Sequence, residues 1–256
     1  MYPIFVRRFT LSKLNLVVSA VGLILAASQA EASLIFVGVI PSTGNGIGAV
    51  NTSLTFQNTG SESGCVAFNG SAAVIGSAAC PTGFGFIGGN ESPGASQTNV
   101  FTAAQLGFSA TNNFSNLLVI FNGNEGGGAN QPITLTALGL SLYSATGTRL
   151  QTFTAIGLPT TFAALPGIGN AGFGFALDST QAAQANALLI LNPLLRVGTS
   201  ANVTNSEAGP ETIQLTTVTN TGGAGGQIPE PSSFILLSSG LALWGGSSLL
   251  KRRRRS

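Results

Sequence analysis

The sequence contains no histidine, and this absence removes the commonest catalytic and metal-binding arrangements. A chain of 256 residues without histidine cannot form a Ser-His-Asp or a Cys-His catalytic arrangement. Its two cysteines, Cys65 and Cys80, are too few to hold a metal ion without histidine ligands. The sequence therefore predicts no catalytic residue, no metal site and no cofactor.

Positive charge is almost absent from the middle of the chain. Of the ten lysines and arginines, only Arg149 and Arg196 lie between residues 33 and 228. The same region contains six carboxylates: Glu62, Glu91, Glu125, Asp178, Glu207 and Glu211. Two positive and six negative charges leave a net charge of −4. Because nucleic-acid backbones are bound by rows of lysine and arginine, this region is not expected to bind nucleic acid.

The other basic residues lie near the two ends of the chain, next to apolar segments. At the N-terminus, Arg7, Arg8 and Lys13 precede an apolar stretch over residues 14–27. Ala30 and Ala32 then match the small-x-small pattern of a signal-peptidase site. Residues 1–32 are predicted to be a signal peptide cleaved after Ala32, with Ala30 as the competing position. The alternative is an uncleaved first transmembrane helix.

The last 28 residues combine three features in a fixed order. Pro229, Glu230 and Pro231 come first, and 19 uncharged residues follow over 232–250. The chain then continues with Lys251 and a run of four arginines: Arg252, Arg253, Arg254 and Arg255. A helix of 19 residues spans about 28 Å, close to the roughly 30 Å hydrocarbon core of a bilayer. The cations are expected to stay in the cytoplasm, which places the middle of the chain on the other side of the membrane.

This order resembles the PEP-CTERM sorting signal of proteins exported by Gram-negative bacteria. The resemblance implies processing by an exosortase, a membrane transpeptidase-like enzyme associated with exopolysaccharide production, after a signal peptidase has acted at the N-terminus. It also implies a transient or permanent single-pass membrane protein, delivered to the cell envelope or the extracellular matrix. The alternative is a plain C-terminal anchor. Nine of the 19 apolar-span residues are Ser or Gly, which weakens a permanent anchor and favours sorting.

The two cysteines are predicted to form a disulfide. Their even number and the export signals favour an oxidising compartment, where such bonds persist. Closing a loop of this size contributes roughly 3 kcal/mol in the chain-entropy model.

The region between the ends has mainly the pattern of β-strands. Residues 33–221 are long enough for one domain with a substantial core, and a Gly-rich linker follows at 222–228. Alternating apolar and polar residues at 50–57 predict a half-buried strand. Seven further strands are predicted at 33–40, 113–121, 133–143, 149–156, 173–177, 194–200 and 213–218. We predict a β-sandwich of jelly-roll or immunoglobulin-like type, with one inserted helix and hydrophobic helices at both ends of the chain.

Three local features refine this prediction. The apolar phase of 133–143 shifts between Ala137 and Leu138, which indicates a β-bulge. Residues 145–148 have the composition of a hairpin turn. Asp178 and Gln181 form a capping-box pattern, and helix-forming residues follow over 182–191 until Asn192 and Pro193.

The sequence leaves three functions open. The first is a structural or adhesive role without catalysis, with exopolysaccharide as a further partner. The second is a module that binds polysaccharide, or Ca²⁺ through Asn122, Asn124 and Glu125. The third is a glycan-active enzyme, which requires two facing carboxylates. Four residues could supply such a pair: Glu125, Asp178, Glu207 and Glu211.

Overall fold

The structure is a computed structural model that describes residues 33–41, 51–109, 113–123, 132–163, 171–207 and 209–218. All of these belong to the second of two compact units, Met1–Ala32 and Ser33–Ser256. The described residues form twelve strands: β1 (Ser33–Pro41), β2 (Thr52–Phe56), β3 (Gly60–Phe68), β4 (Ala73–Ile75), β5 (Phe101–Thr102), β6 (Leu117–Asn122), β7 (Ile133–Tyr143), β8 (Arg149–Ala155), β9 (Thr160–Phe162), β10 (Ala171–Leu177), β11 (Arg196–Ser206) and β12 (Glu211–Thr217). They also form one α-helix, α1 (Ser179–Leu191), and short 3-10 helices at Ser77–Ala79 and Phe114–Asn116.

All twelve strands belong to one curled sheet. Neighbouring strands follow the order β2-β12-β6-β10-β1-β8-β7-β11-β3-β4, while β5 pairs with β11 and β9 pairs with β7. Only β1 and β8 are parallel among these pairs, and β1 joins the two halves because it pairs with β8 on one side and β10 on the other. The prediction of a mainly β fold with one inserted helix is confirmed. A sandwich of two separate sheets is not confirmed, since β1 links the halves by backbone hydrogen bonds.

Residues 90–92 connect β2, at one edge of this sheet, to β3, the neighbour of the other edge strand β4. The amide of Asn90 donates to the carbonyl oxygen of Ser63 in β3 at 3.0 Å. The carbonyl oxygen of Asn90 accepts from the amide of Gln57, just after β2, at 3.0 Å. Phe56 of β2 also forms a bridge with Glu91. These contacts pair some of the backbone groups of β2 and of the first half of β3.

A phenylalanine-rich part of the core lies on one face of the curled sheet, because side chains alternate between the faces along each strand. A second buried cluster, of Leu118, Ile120 and Ala176, lies on the opposite face of β6 and β10. Phe162 stacks on Phe173 with 4.1 Å between ring centroids, and Phe36, Phe121 and Phe175 surround this pair. We call the face that carries this phenylalanine cluster the inner face and the opposite one the outer face. The inner face also carries the leucines of β7: Leu138, Leu140 and Leu142.

The predicted half-buried strand is β2, and the expectation of a solvent-exposed face is wrong. All five of its residues are buried. Residues 97–99 cover the polar side, since Thr55 Oγ1 donates to the Gln97 carbonyl oxygen at 2.7 Å and Ser53 Oγ donates to that of Asn99 at 3.2 Å. Alternation predicted the strand but not the distant segment that covers it.

The predicted bulge and hairpin in β7 and β8 are confirmed. Leu135 pairs with Val203 and Ala137 pairs with Asn202, so Thr136 is the extra residue, one position before the predicted phase shift. In the turn after β7, the amide of Ser144 donates to the carbonyl oxygen of Thr148 at 2.8 Å, and the amide of Gly147 donates to that of Ser144 at 3.1 Å.

The other predicted strands overlap β1, β6, β8, β10, β11 and β12, whereas β3, β4, β5 and β9 were not predicted. The start of β6 was placed too early, because Phe114–Asn116 forms a 3-10 helix. β3 begins Gly60-Ser61-Glu62-Ser63-Gly64, which lacks the β-branched and aromatic residues that indicate a strand.

The predicted helix is confirmed. Asp178 is its N-cap, with its side chain accepting from the amide of Gln181 at 2.8 Å. The helix ends before Asn192, whose amide donates to the carbonyl oxygen of Leu188, and Pro193 then prevents its continuation.

Candidate functional site

The residues predicted to direct processing lie outside the described ranges. They are Ala30 and Ala32 at the N-terminus, Pro229, Glu230 and Pro231 of the tripeptide, and Arg252, Arg253, Arg254 and Arg255 of the basic cluster. The linker at 222–228 and the apolar segments at 14–27 and 232–250 are outside them as well. Within the ranges that the structure covers, no helix has the length and apolar character needed to cross a membrane. Cleavage and sorting stay predictions.

Cys65 and Cys80 form a disulfide, as predicted, with 5.1 Å between their α-carbons. Cys65 lies in β3, and Cys80 directly follows the 3-10 helix Ser77–Ala79. Both residues are buried. Cys65 pairs with Ser200 of β11 on the outer face, so the disulfide fixes the start of residues 80–99 against that face.

The same outer face holds residues 85–87 of this long connection between β4 and β5. A Cβ atom on Gly139 of β7 would lie 2.7 Å from Cζ of Phe86, so the ring rests where only glycine leaves room. Asn202 of β11 donates through Nδ2 to the carbonyl oxygen of Gly85 at 3.0 Å and accepts from the amide of Ile87 at 3.4 Å. Side chains from β7 and β11 therefore hold this connection across the sheet.

Glu91 completes the attachment of this connection to β3. Its Oε1 accepts from the amide of Cys65 at 2.6 Å, and its Oε2 accepts from the amide of Gly89 at 2.9 Å. Both oxygens of this half-buried carboxylate bind backbone amides, so Glu91 serves the fold.

The four carboxylates considered for glycan chemistry lie in different surroundings. Asp178 caps α1, next to the end of β10, and Glu211 starts β12 at the opposite end of the sheet. Glu211 is completely buried and Glu207 is exposed. Glu125 lies outside the described residues. The structure thus does not bring Asp178 and Glu211 together as a facing pair.

Glu62 is a buried carboxylate that the sequence did not single out. It is 1% exposed, and neither carboxylate oxygen has a hydrogen-bond partner within the part of the chain that the structure describes. Glu62 lies on the same side of β3 as Gly64. A Cβ atom added to Gly64 would be 3.0 Å from Cδ1 of Leu54 and 3.2 Å from Cβ of Phe56. Glu62 therefore points into the inner face, near the end of the sheet where Glu211 pairs with Phe56.

The residues proposed to bind Ca²⁺ are described only in part. Asn122 is buried at the end of β6, while Asn124 and Glu125 lie outside the described residues. Across the described segments, no three His, Cys, Asp or Glu side chains are grouped so that they could hold a metal ion. The Ca²⁺ site stays a prediction.

Arg149 and Arg196 flank Tyr143 on three neighbouring strands. Arg149 of β8 and Arg196 of β11 both pair with Tyr143 of β7, and we call these three residues the arginine row. Cζ of Arg149 lies 5.8 Å from the centroid of the Tyr143 ring, and its Nη2 donates to the carbonyl oxygens of Ala79 and Cys80 at 3.4 and 3.2 Å. Cζ of Arg196 lies 5.1 Å from the centroid of Phe68.

The arginine row was not predicted as a unit. The sequence showed that two arginines are the only cations of the region, but they are 47 positions apart along the chain. Only the pairing of β8, β7 and β11 brings them to one place.

The chain matches no protein-family model, no curated protein and no solved structure. Its function must therefore be argued from its own residues.

Proposed function

We propose that this is an exported protein of a Gram-negative bacterium, sorted by its C-terminal segment to the cell envelope or the exopolysaccharide matrix, where its β-domain has a structural or adhesive role without catalysis. The observation that carries the proposal is the order of features at both ends. A basic, apolar and small-residue leader precedes the domain, and Pro229-Glu230-Pro231, an apolar span and a basic cluster follow it.

The disulfide supports export. Disulfides persist in the periplasm and outside the cell and are rare in the reducing cytosol. Cys65 and Cys80 are joined and buried, and their bond ties a long surface connection to the sheet. A domain built around such a bond suits an oxidising compartment.

The positions of the carboxylates support a role without catalysis. Glu91 and Asp178 accept hydrogen bonds from backbone amides, and Glu62 and Glu211 are buried on the inner face. A general acid or base must reach a bound substrate. The proposal therefore gives these four carboxylates a role in the fold.

We propose in addition that the two halves of the curled sheet pack against each other as the layers of a β-sandwich do. Thr199 Oγ1 of β11 donates to Ser53 Oγ of β2 at 2.9 Å, and Leu54 of β2 packs against Gly64 of β3. These contacts join strands from opposite ends of the strand order and support a layered core.

The sorting proposal is tested by replacing Pro229, Glu230 and Pro231 together with alanine in the native host. Gln227→Ala, two residues before the tripeptide, is the matched control. The protein in membrane and medium fractions is detected with an antibody against the β-domain. We expect wild type and control to lose the C-terminal segment and to leave the inner membrane, and the triple variant to keep its full length in the membrane.

The opposite result is also clear. If wild type and triple variant have the same length and the same distribution, the tripeptide does not direct sorting. If both also keep their full length in the membrane, 232–250 is a plain anchor.

A further inference from the structure

The arginine row places the only two lysine or arginine side chains among the described residues on one small area of the outer face. Tyr143 and Arg196 pair directly and point to the same face. Arg149 pairs with Tyr143 just beyond a register shift, and its Cζ lies 5.8 Å from the centroid of the Tyr143 ring, which places it on that face as well. Adjacent strands are about 4.8 Å apart, so the α-carbons of Arg149 and Arg196 lie about 10 Å apart on either side of Tyr143. A region whose net charge is −4 thus carries one concentrated positive site.

No carboxylate of the described residues forms an ion pair with Arg149 or Arg196, and the Arg196 side chain makes no hydrogen bond with the described residues. Its planar group rests on Phe68, which holds it in position by a cation–π contact. Both arginines are half-buried, so their outer nitrogens can be reached from solvent.

The row also contains polar atoms whose hydrogen-bonding capacity is not used. Nε of Arg149, Nε of Arg196 and the hydroxyl of Tyr143 are buried and have no hydrogen-bond partner within the described residues. Tyr143 is only 2% exposed. Because these three atoms are buried, a polymer at the surface contacts the outer guanidinium nitrogens and not Nε or the Tyr143 hydroxyl.

The geometry suits an oxyanion. The guanidinium fork matches the two oxygens of a carboxylate, and sulfate offers similar oxygen pairs. Arg149 is held by the carbonyl oxygens of Ala79 and Cys80, and Arg196 by Phe68, so little side-chain freedom is lost on binding. Two arginines whose α-carbons lie about 10 Å apart fit a polymer with charges at repeated positions better than one small ion.

We propose that the arginine row binds the acidic groups of an anionic polysaccharide, with Arg149 and Arg196 each contacting one carboxylate or sulfate group. The choice of a polysaccharide as the carrier of the anion rests on the proposed function, which this binding site deepens. The remaining negative charge of the domain repels such a polymer, so contact is confined to the row. The Debye length is about 8 Å at physiological ionic strength, and binding weakens as the salt concentration rises above it.

The test is a binding measurement on the purified full-length chain in mild detergent, with the eight lysines and arginines outside residues 33–228 changed to glutamine in every sample so that they cannot bind the polymer. Immobilised polygalacturonate supplies carboxylates, dextran sulfate supplies sulfates, and neutral dextran supplies neither. We expect binding to one or both charged polymers and none to neutral dextran. The preferred polymer identifies the anion.

Arg196→Gln is the most informative variant, because the Arg196 side chain makes no hydrogen bond with the described residues. We expect it to weaken binding at least about tenfold, the effect of losing one charge-assisted contact. Arg149→Gln should weaken binding as much, and Arg149→Lys less, because lysine keeps the charge without the fork.

Gln184→Glu, at an exposed position of α1, is the matched control, since it changes the net charge by the same amount. We expect it to bind as wild type does. Equal binding by wild type and the Arg149→Gln/Arg196→Gln double variant would overturn the proposal, and so would equal loss in the control or equal binding to neutral dextran. Because binding is measured on the intact chain, its failure leaves the sorting proposal untouched.

Discussion

Within one sheet, the positive charges of the arginine row are reachable from solvent, whereas the carboxylates of the buried glutamates are not. Arg149 and Arg196 stand half-buried on the outer face, whereas Glu62 and Glu211 point into the inner face and are 1% and 0% exposed. Arg196 is the first residue of β11, and Glu62 pairs with Val203 of the same strand. Val203 lies seven residues after Arg196, so their α-carbons are about 23 Å apart. Cations and glutamates are thus too far apart to neutralise each other at physiological salt.

This separation indicates which charges are available to a ligand. A cation that is reachable and unpaired can bind an anion from solvent. A fully buried carboxylate cannot reach a ligand, and it affects the stability of the fold instead.

The largest effect is expected from removing the disulfide beside the arginine row. The Cys65→Ala/Cys80→Ala variant should lose roughly 3 kcal/mol of unfolding free energy, the value for a loop of this length. Because the carbonyl oxygens of Ala79 and Cys80 hold Arg149, binding to charged polysaccharide should weaken as well. Urea unfolding measures the first effect, and an unchanged midpoint would show that the bond adds nothing to stability.

A somewhat smaller loss is expected from Glu91→Leu. The change leaves the amides of Cys65 and Gly89 without their acceptor and should lower the unfolding free energy by about 2 kcal/mol. Glu91→Gln keeps one acceptor oxygen and should lose roughly half as much. Equal stability of wild type and Glu91→Leu, measured in urea, would remove the structural role assigned to this carboxylate.

Glu62→Leu should have the opposite sign. Burying a polar group without a hydrogen-bond partner costs about 1–3 kcal/mol, so an apolar side chain of similar length should raise the unfolding free energy by about 1 kcal/mol. Glu91→Leu is the comparison variant, because it removes a carboxylate that accepts hydrogen bonds and that lies beside the same strand, β3. A clear loss of stability in Glu62→Leu would show that its carboxylate has a partner in the native protein.

The smallest effect on stability is expected from Arg196→Gln. The change removes one half-exposed cation–π contact, worth about 0.5–1 kcal/mol. Its melting temperature should therefore stay close to that of wild type while polysaccharide binding falls. A large drop in melting temperature would mean that Arg196 serves the fold and not a ligand.

The features that the sequence predicted well depend on neighbouring residues. The bulge in β7, the turn after Tyr143 and the cap at Asp178 each follow from a few consecutive side chains and their preferred backbone angles. The disulfide was predicted from cysteine count and compartment, which need no knowledge of the fold.

The features that it missed depend on contacts between distant segments. Ser53 and Thr55 look like a solvent face until residues 97–99 cover them. β3 was missed because its first residues have low strand propensity and are held by pairing with β11. The arginine row and the burial of Glu62 also follow from strand register, which local patterns do not reveal.

Intact mass and terminal peptide mapping of the protein from membrane and medium fractions of its own host test the proposed export and sorting most directly. We expect a mature form that begins near Ser33 and ends near Pro229. Recovery only from the membrane, with Trp244 and the arginine cluster intact, would contradict sorting and make residues 232–250 a permanent anchor.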